Sequence, residues 1–158
     1  MDYLKPFEER RKENIAEKIL VDKYKDDSDV LIIKYGLDLL HVDMPMNMFC
    51  KIPTTIRKTP DYIMIHRDSG TPYSVEAKGC KIYLKLKLED LESYYRWNRT
   101  MGTDMTLLLF VYDSNTKTDT FVSLAKINLL IKKHGYTKKK FFDNNKEYYE
   151  IQYSHIQR

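Results

Sequence analysis

Cysteine is scarce: Cys50 and Cys80 stand far apart, outside any Cys-x-x-Cys or Cys/His ligand spacing. That excludes a disulfide framework and a structural zinc site, and predicts buried, reduced thiols in a cytoplasmic protein. Glycine and proline are sparse too, at five residues each in 158, with no internal repeat or low-complexity linker, so no second domain is expected. No run of about 18 apolar residues occurs, so no membrane-spanning helix is expected. Met1 to Arg11 is charged rather than apolar, which predicts no secretory signal peptide. His41, His66, His134 and His155 form no His-Glu-x-x-His pattern, and there is neither a Gly-x-Ser-x-Gly motif nor a phosphate-cradling glycine loop. Zinc-protease, serine-hydrolase and P-loop ATPase chemistry are thereby removed. Nor is there a large excess of one charge: 27 basic against 23 acidic residues leave +4, which by itself names no partner.

What is present suits one domain, residues 1–158, with 42% hydrophobic residues. About Phe7 to Lys25 reads as a helix: Pro6 and the acidic Glu8 and Glu9 open it, and Ile15, Ala16, Ile19, Leu20 and Tyr24 recur at three-to-four spacing as its buried stripe. Val30 to Tyr35 is an almost unbroken apolar run of the kind central strands show. Between Leu37 and Cys50 periodicity fails. Alternating Met44, Met46 and Met48 hint at a strand, Pro45 argues for an edge or a loop, and core filling is the expected use of the thioethers.

Farther on, Lys81 to Lys87 either extends a strand or forms a phosphate-gripping loop, and Leu88 to Thr100 is a helix stopped by Gly102. Leu88, Leu91, Tyr95 and Trp97 fall broadly on its core side. Tyr94, Tyr95 and Trp97 raise base stacking, with core packing favoured for Tyr95 and Trp97. Met105 to Tyr112 is a strand apolar on both faces and therefore central; Thr120 to Val122 begins another. Ser123 caps a helix through His134 closed by Gly135, and Phe141 to Tyr153 reads as a terminal hairpin turning at Asp143-Asn144-Asn145. The order predicts an α/β fold with a central mixed β-sheet flanked by helices.

The catalytic vocabulary lies between Pro60 and Lys78. Tyr62 to Arg67 and Pro72 to Val75 flank an Asp68-Ser69-Gly70-Thr71 turn, a β-hairpin signature. A symmetric hairpin sets Asp61 beside Glu76 and Lys78, and period two puts Glu76 and Lys78 on one face with Val75 and Ala77 on the other. Two carboxylates offer hard oxygen ligands to Mg²⁺, and a lysine supplies a point charge for an attacking water or a developing anion.

At Pro60-Asp61 and Glu76-Ala77-Lys78 the chain resembles the PD-(D/E)xK nuclease superfamily, and Thr59 to Tyr62 with Val75 to Gly79 looks most like small phage or viral endonucleases, including junction-resolving ones. The resemblance implies a restriction-endonuclease-like core and a metal-dependent DNA endonuclease using Mg²⁺, with Mn²⁺ as a substitute. It implies metal held by Asp61 and Glu76, assistance from Lys78, and a helical glutamate, Glu17 first and Glu13 second, completing the site. It places a helix across the active-site edge, so Lys85, Lys87, Arg96 and Arg99 are candidate DNA contacts, as is the basic run Lys138-Lys139-Lys140; each is also explained by ordinary solvation. Glu92 and Tyr95 approach the Gln-x-x-x-Tyr pattern of some exonuclease branches, but the Gln is absent and the spacing one short. A homodimer in the cytoplasm, its own or a host's, is the expected working state. Alternatives are a sequence-specific restriction or homing-type enzyme and a catalytically silent nucleic-acid-binding module.

Overall fold

The computed structural model describes residues 15–36 and 46–158. Glu13, the first part of the expected N-terminal helix, and Leu37 to Pro45 with His41 and Met44 lie outside the described residues. Helix α1 runs Ile15–Tyr24 and strand β1 Val30–Lys34; two short helices, α2 (Met46–Phe49) and α3 (Thr54–Arg57), follow. The expected hairpin is β2 (Tyr62–His66) and β3 (Pro72–Cys80), antiparallel, with Gly70 at φ +66° in its turn. Next come β4 (Tyr83–Lys87), α4 (Leu88–Met101), β5 (Thr106–Asp113), β6 (Thr118–Ser123), α5 (Leu124–His134), β7 (Lys139–Lys140), β8 (Glu147–Gln152) and α6 (Tyr153–Gln157).

The main sheet is mixed. Its order is β1-β2-β3-β5-β6, parallel only where β3 meets β5. Ala16 and Leu20 of α1 pack on one face against Tyr62, Met64, Val75, Ala77 and Phe110. On the other face Leu107, Leu109 and Val111 meet Leu91 and Tyr94 of α4, Leu124 and Ile127 of α5, and Ile151 and Ile156 near the C-terminus. Each fully buried aliphatic or aromatic side chain stabilises the fold by about 1.5–3 kcal/mol. Helix α5 behaves as its caps dictate: Ser123 Oγ accepts from Lys126 N, and Gly135 closes the helix in the left-handed conformation.

Several expectations are corrected. Among the described residues strand β1 is the sheet's edge, not a central strand, and Leu31 and Ile33 are exposed because nothing there covers their face. Ile15 is exposed too, outside the stripe set by Ala16 and Leu20. Met46–Phe49 is a helical turn rather than a strand, and Met48 is exposed rather than core. Cys50 is exposed and Cys80 half-buried. Lys81 to Lys87 does not prolong β3: Ile82 adopts φ +71°, a strained value for a β-branched residue, and turns the chain into β4 of a separate sheet, β4-β8-β7. That corner is clamped from both sides, Ile82 N donating to buried Asp113 Oδ1 (2.8 Å) and Ile82 O accepting from Tyr153 N (2.8 Å). Asp113 also accepts from Asn115 N, Thr116 N and Thr116 Oγ1, and these bonds hold its carboxyl below the usual range against the opposing effect of burial.

Candidate active site

Strand pairing assembles the site. Tyr62 stands opposite Val75, so Asp61, one residue before β2, comes level with Glu76 on β3, and its Oδ2 accepts from Ala77 N at 3.0 Å. Gly36 holds the other side of Asp61: both Tyr35 N and Gly36 N donate to Asp61 O at 3.0 Å, and a Cβ on Gly36 would lie 2.9 Å from Pro60 O. The proline-aspartate step is thus wedged between β1 and β3.

Glu76 and Lys78 share the face covered by α4. Lys78 Nζ lies 3.0 Å from Glu76 Oε1 and 3.8 Å from Asp90 Oδ2 on the first turn of α4. Tyr94, one turn on and almost fully buried, donates its hydroxyl to Glu76 Oε1 at 2.9 Å. Burial would lower the Lys78 pKa, but Tyr94, Glu76 and Asp90 outweigh it and hold the ammonium well above its usual value, so Lys78 is a cation here. Burial pushes the Tyr94 phenol well up, against the pull of Lys78, which keeps it a donor. Lys58 ties Asp90 (3.3 Å) to Glu89 (3.9 Å), and Glu89 is paired with Lys146 at 2.9 Å.

Asp61 is pulled both ways. Burial first, then the negative charges of Glu76 and Glu17, raise its carboxyl to about 7, with Lys78 and the Ala77 N–H pulling the other way. Glu17 on α1 receives Lys34 Nζ and the Tyr62 hydroxyl, each at 3.1 Å. Among the described residues no group of three or more His, Cys, Asp or Glu stands close enough to form a ready-made metal cluster. A divalent ion nevertheless fits the donor chemistry. Asp61 and Glu76 are neighbouring hard-oxygen donors, and among the described residues Asp61 Oδ1 and Glu76 Oε2 accept no hydrogen bond.

The structure therefore brings Asp61, Glu76 and Lys78 together, with Glu17 near enough for its negative charge to raise the Asp61 carboxyl. Of the basic candidates, Lys85 and Lys139 pair with Glu150 (3.9 and 2.8 Å), Lys87 lies over the Phe141 ring, and Arg96, Arg99, Lys138 and Lys140 are exposed. Asp90, and the hydrogen bond of Tyr94 to Glu76, are not foreshadowed in the sequence pattern. The i, i+4 spacing of Asp90 and Tyr94 was available, as was the placement of α4, but only packing shows that Tyr94 rather than Tyr95 turns inward to the carboxylate. Base stacking by Tyr94 is ruled out by its burial, while Tyr95 and Trp97 pack partly buried against the core as expected.

Solved structures share this arrangement of strands and helices, two nucleases among them. One is Hjc from Archaeoglobus fulgidus, a Holliday junction resolvase from an archaeal hyperthermophile: 12% identity, 92% of this chain and 88% of that one covered, TM-score 0.53. The other is a nuclease from a fusellovirus: 17% identity, 98% and 89% covered, TM-score 0.53. The chain has the restriction-endonuclease-like nuclease fold. No protein-family model and no curated protein matches it. In this fold the mixed sheet is the scaffold, and here Asp61, Glu76 and Lys78 lie at the β2–β3 end where α4 crosses.

Proposed function

We propose that this protein is a Mg²⁺-dependent DNA endonuclease that hydrolyses phosphodiester bonds, with Mn²⁺ able to substitute. The observation that carries the reading is the convergence of Asp61 and Glu76 on paired strands with Lys78 Nζ 3.0 Å from Glu76. Asp61 and Glu76 would hold the cation, which when bound polarises a phosphodiester oxygen and acidifies a water. Lys78, kept cationic between Glu76 and Asp90, orients the attacking water and opposes the charge that develops on the phosphate. Tyr94 fixes the Glu76 carboxylate, and Glu17 supports the water side of Asp61. The exposed Arg96, Arg99, Lys138 and Lys140 would supply phosphate contacts, and a homodimer would present two catalytic centres to two strands. Both neighbours in fold are nucleases, one of them a junction resolvase, which supports DNA as the substrate.

The test is cleavage of supercoiled plasmid and of a four-way junction with Mg²⁺, by the wild type and by Glu76→Ala and Lys78→Ala. Cutting that both substitutions abolish supports the assignment. A wild type inert on both DNAs yet binding them in EDTA favours the silent binding module, and variants that cut as well as the wild type would place the site elsewhere.

A further inference from the structure

We propose that the tip of the β7–β8 hairpin is a stacking finger: Phe142 lays its ring on a base left unstacked in the DNA, so DNA with unpaired, unstacked bases, at a branch or a single-stranded overhang, is preferred over fully paired duplex. The proposal rests on the nuclease reading above and names its substrate class.

Phe142 is fully exposed, at 106% of its reference surface. Its neighbour Phe141 anchors the hairpin, stacking on Tyr148 at 4.1 Å with Lys87 Nζ 5.9 Å from its ring centre. The fold thus makes no use of the second ring. The tip is nonetheless built rather than loose. Phe141 N donates to Lys146 O (3.0 Å), Asn145 N to Phe141 O (3.1 Å), and Lys146 N to Asn144 Oδ1 (3.0 Å), with Asn145 in the left-handed conformation that asparagine tolerates. An ordered polar turn therefore presents one bare aromatic face.

Its surroundings match a nucleic acid. Between Lys138 and Lys146 there are four lysines and one acid, Asp143. Lys139 and Lys146 are paired with Glu150 and Glu89, whereas Lys138 and Lys140 carry no ion pair among the described residues. Ammonium groups beside an aromatic face suit phosphate and base together, and a lone ring is too small for an apolar protein interface. The hairpin is also tied to the catalytic end of α4, through Lys146 to Glu89, Glu89 to Lys58, Lys58 to Asp90 and Asp90 to Lys78.

The experiment measures binding of a labelled four-way junction, an overhanging duplex and a blunt duplex, in EDTA to prevent cutting, to the wild type, Phe142→Ala and Phe142→Trp. Loss of one base stack weakens affinity by about tenfold or more. Phe142→Ala should lose that on the junction and the overhang while holding the blunt duplex unchanged. Phe142→Trp should keep wild-type affinity, and its added tryptophan fluorescence should be quenched by the junction. Equal loss on all three DNAs, no loss on any, or an unquenched tryptophan overturns the finger alone. A wild type that binds none of them overturns the finger, and the nuclease reading falls with it only if that protein also fails to cut plasmid and junction with Mg²⁺.

Discussion

Replacing Asp61 with asparagine should stabilise the metal-free protein while abolishing its cutting. The carboxyl is raised from the ordinary 3.8 to about 7 by burial and by Glu76 and Glu17, so the folded state holds a proton that the unfolded chain has already released. Between pH about 4 and about 7 the folded state binds more protons, stability falls as pH rises, and above about 7 the full cost of a buried carboxylate is present. That interval corresponds to about 4 kcal/mol at most; with partial exposure and relaxation of the carboxylates we expect about 1–2 kcal/mol. Asparagine removes the charge yet can still accept from Ala77 N. For a chain of this size the gain is about 2–8 °C in Tm at pH 8, vanishing near pH 4. Thermal melts of both proteins in EDTA at pH 4, 6 and 8 test it, and Mg²⁺ should raise the Tm of the wild type much more than that of Asp61→Asn. A variant that melts lower than the wild type at pH 8, or a difference that does not change with pH, would refute the reasoning.

Other consequences follow from the same geometry. Tyr94→Phe removes the hydroxyl that holds Glu76 Oε1; kcat should fall about tenfold with KM little changed, as steady-state cleavage would show. Gly36→Ala drives a Cβ to 2.9 Å from Pro60 O and 3.1 Å from Asp61 Cα. Because the obstruction is backbone, Asp61 must move: cleavage should drop by about 10- to 100-fold for a stability loss of about 1–3 kcal/mol, seen by comparing plasmid-cutting rates with urea midpoints. Asp113→Ala orphans the N–H groups of Ile82, Asn115 and Thr116 and releases the Ile82 corner, so it should destabilise by about 3 kcal/mol or more in urea melts.

The sequence by itself determined the features that short-range chemistry decides. Gly70 closes the hairpin that brings Asp61 level with Glu76, period two sends Glu76 and Lys78 to one face, and Ser123 and Gly135 cap α5, because turns and caps depend on a few adjacent residues. The β3–β5 core strand was legible for a similar reason: a run apolar on both faces has to be covered on both. Only the tertiary structure decided what depends on distant partners. The apolar run of β1 is the same whether a strand is central or at the edge, and its place follows from which strands take the other side of β2. The break at Ile82 is imposed by Asp113 and Tyr153, far along the chain, and no local signal marks it. The choice of Tyr94 over its neighbours for Glu76 depends on how α4 rotates against the sheet, which is set by Leu91 and the strands beneath it rather than by the spacing of aromatics in the helix.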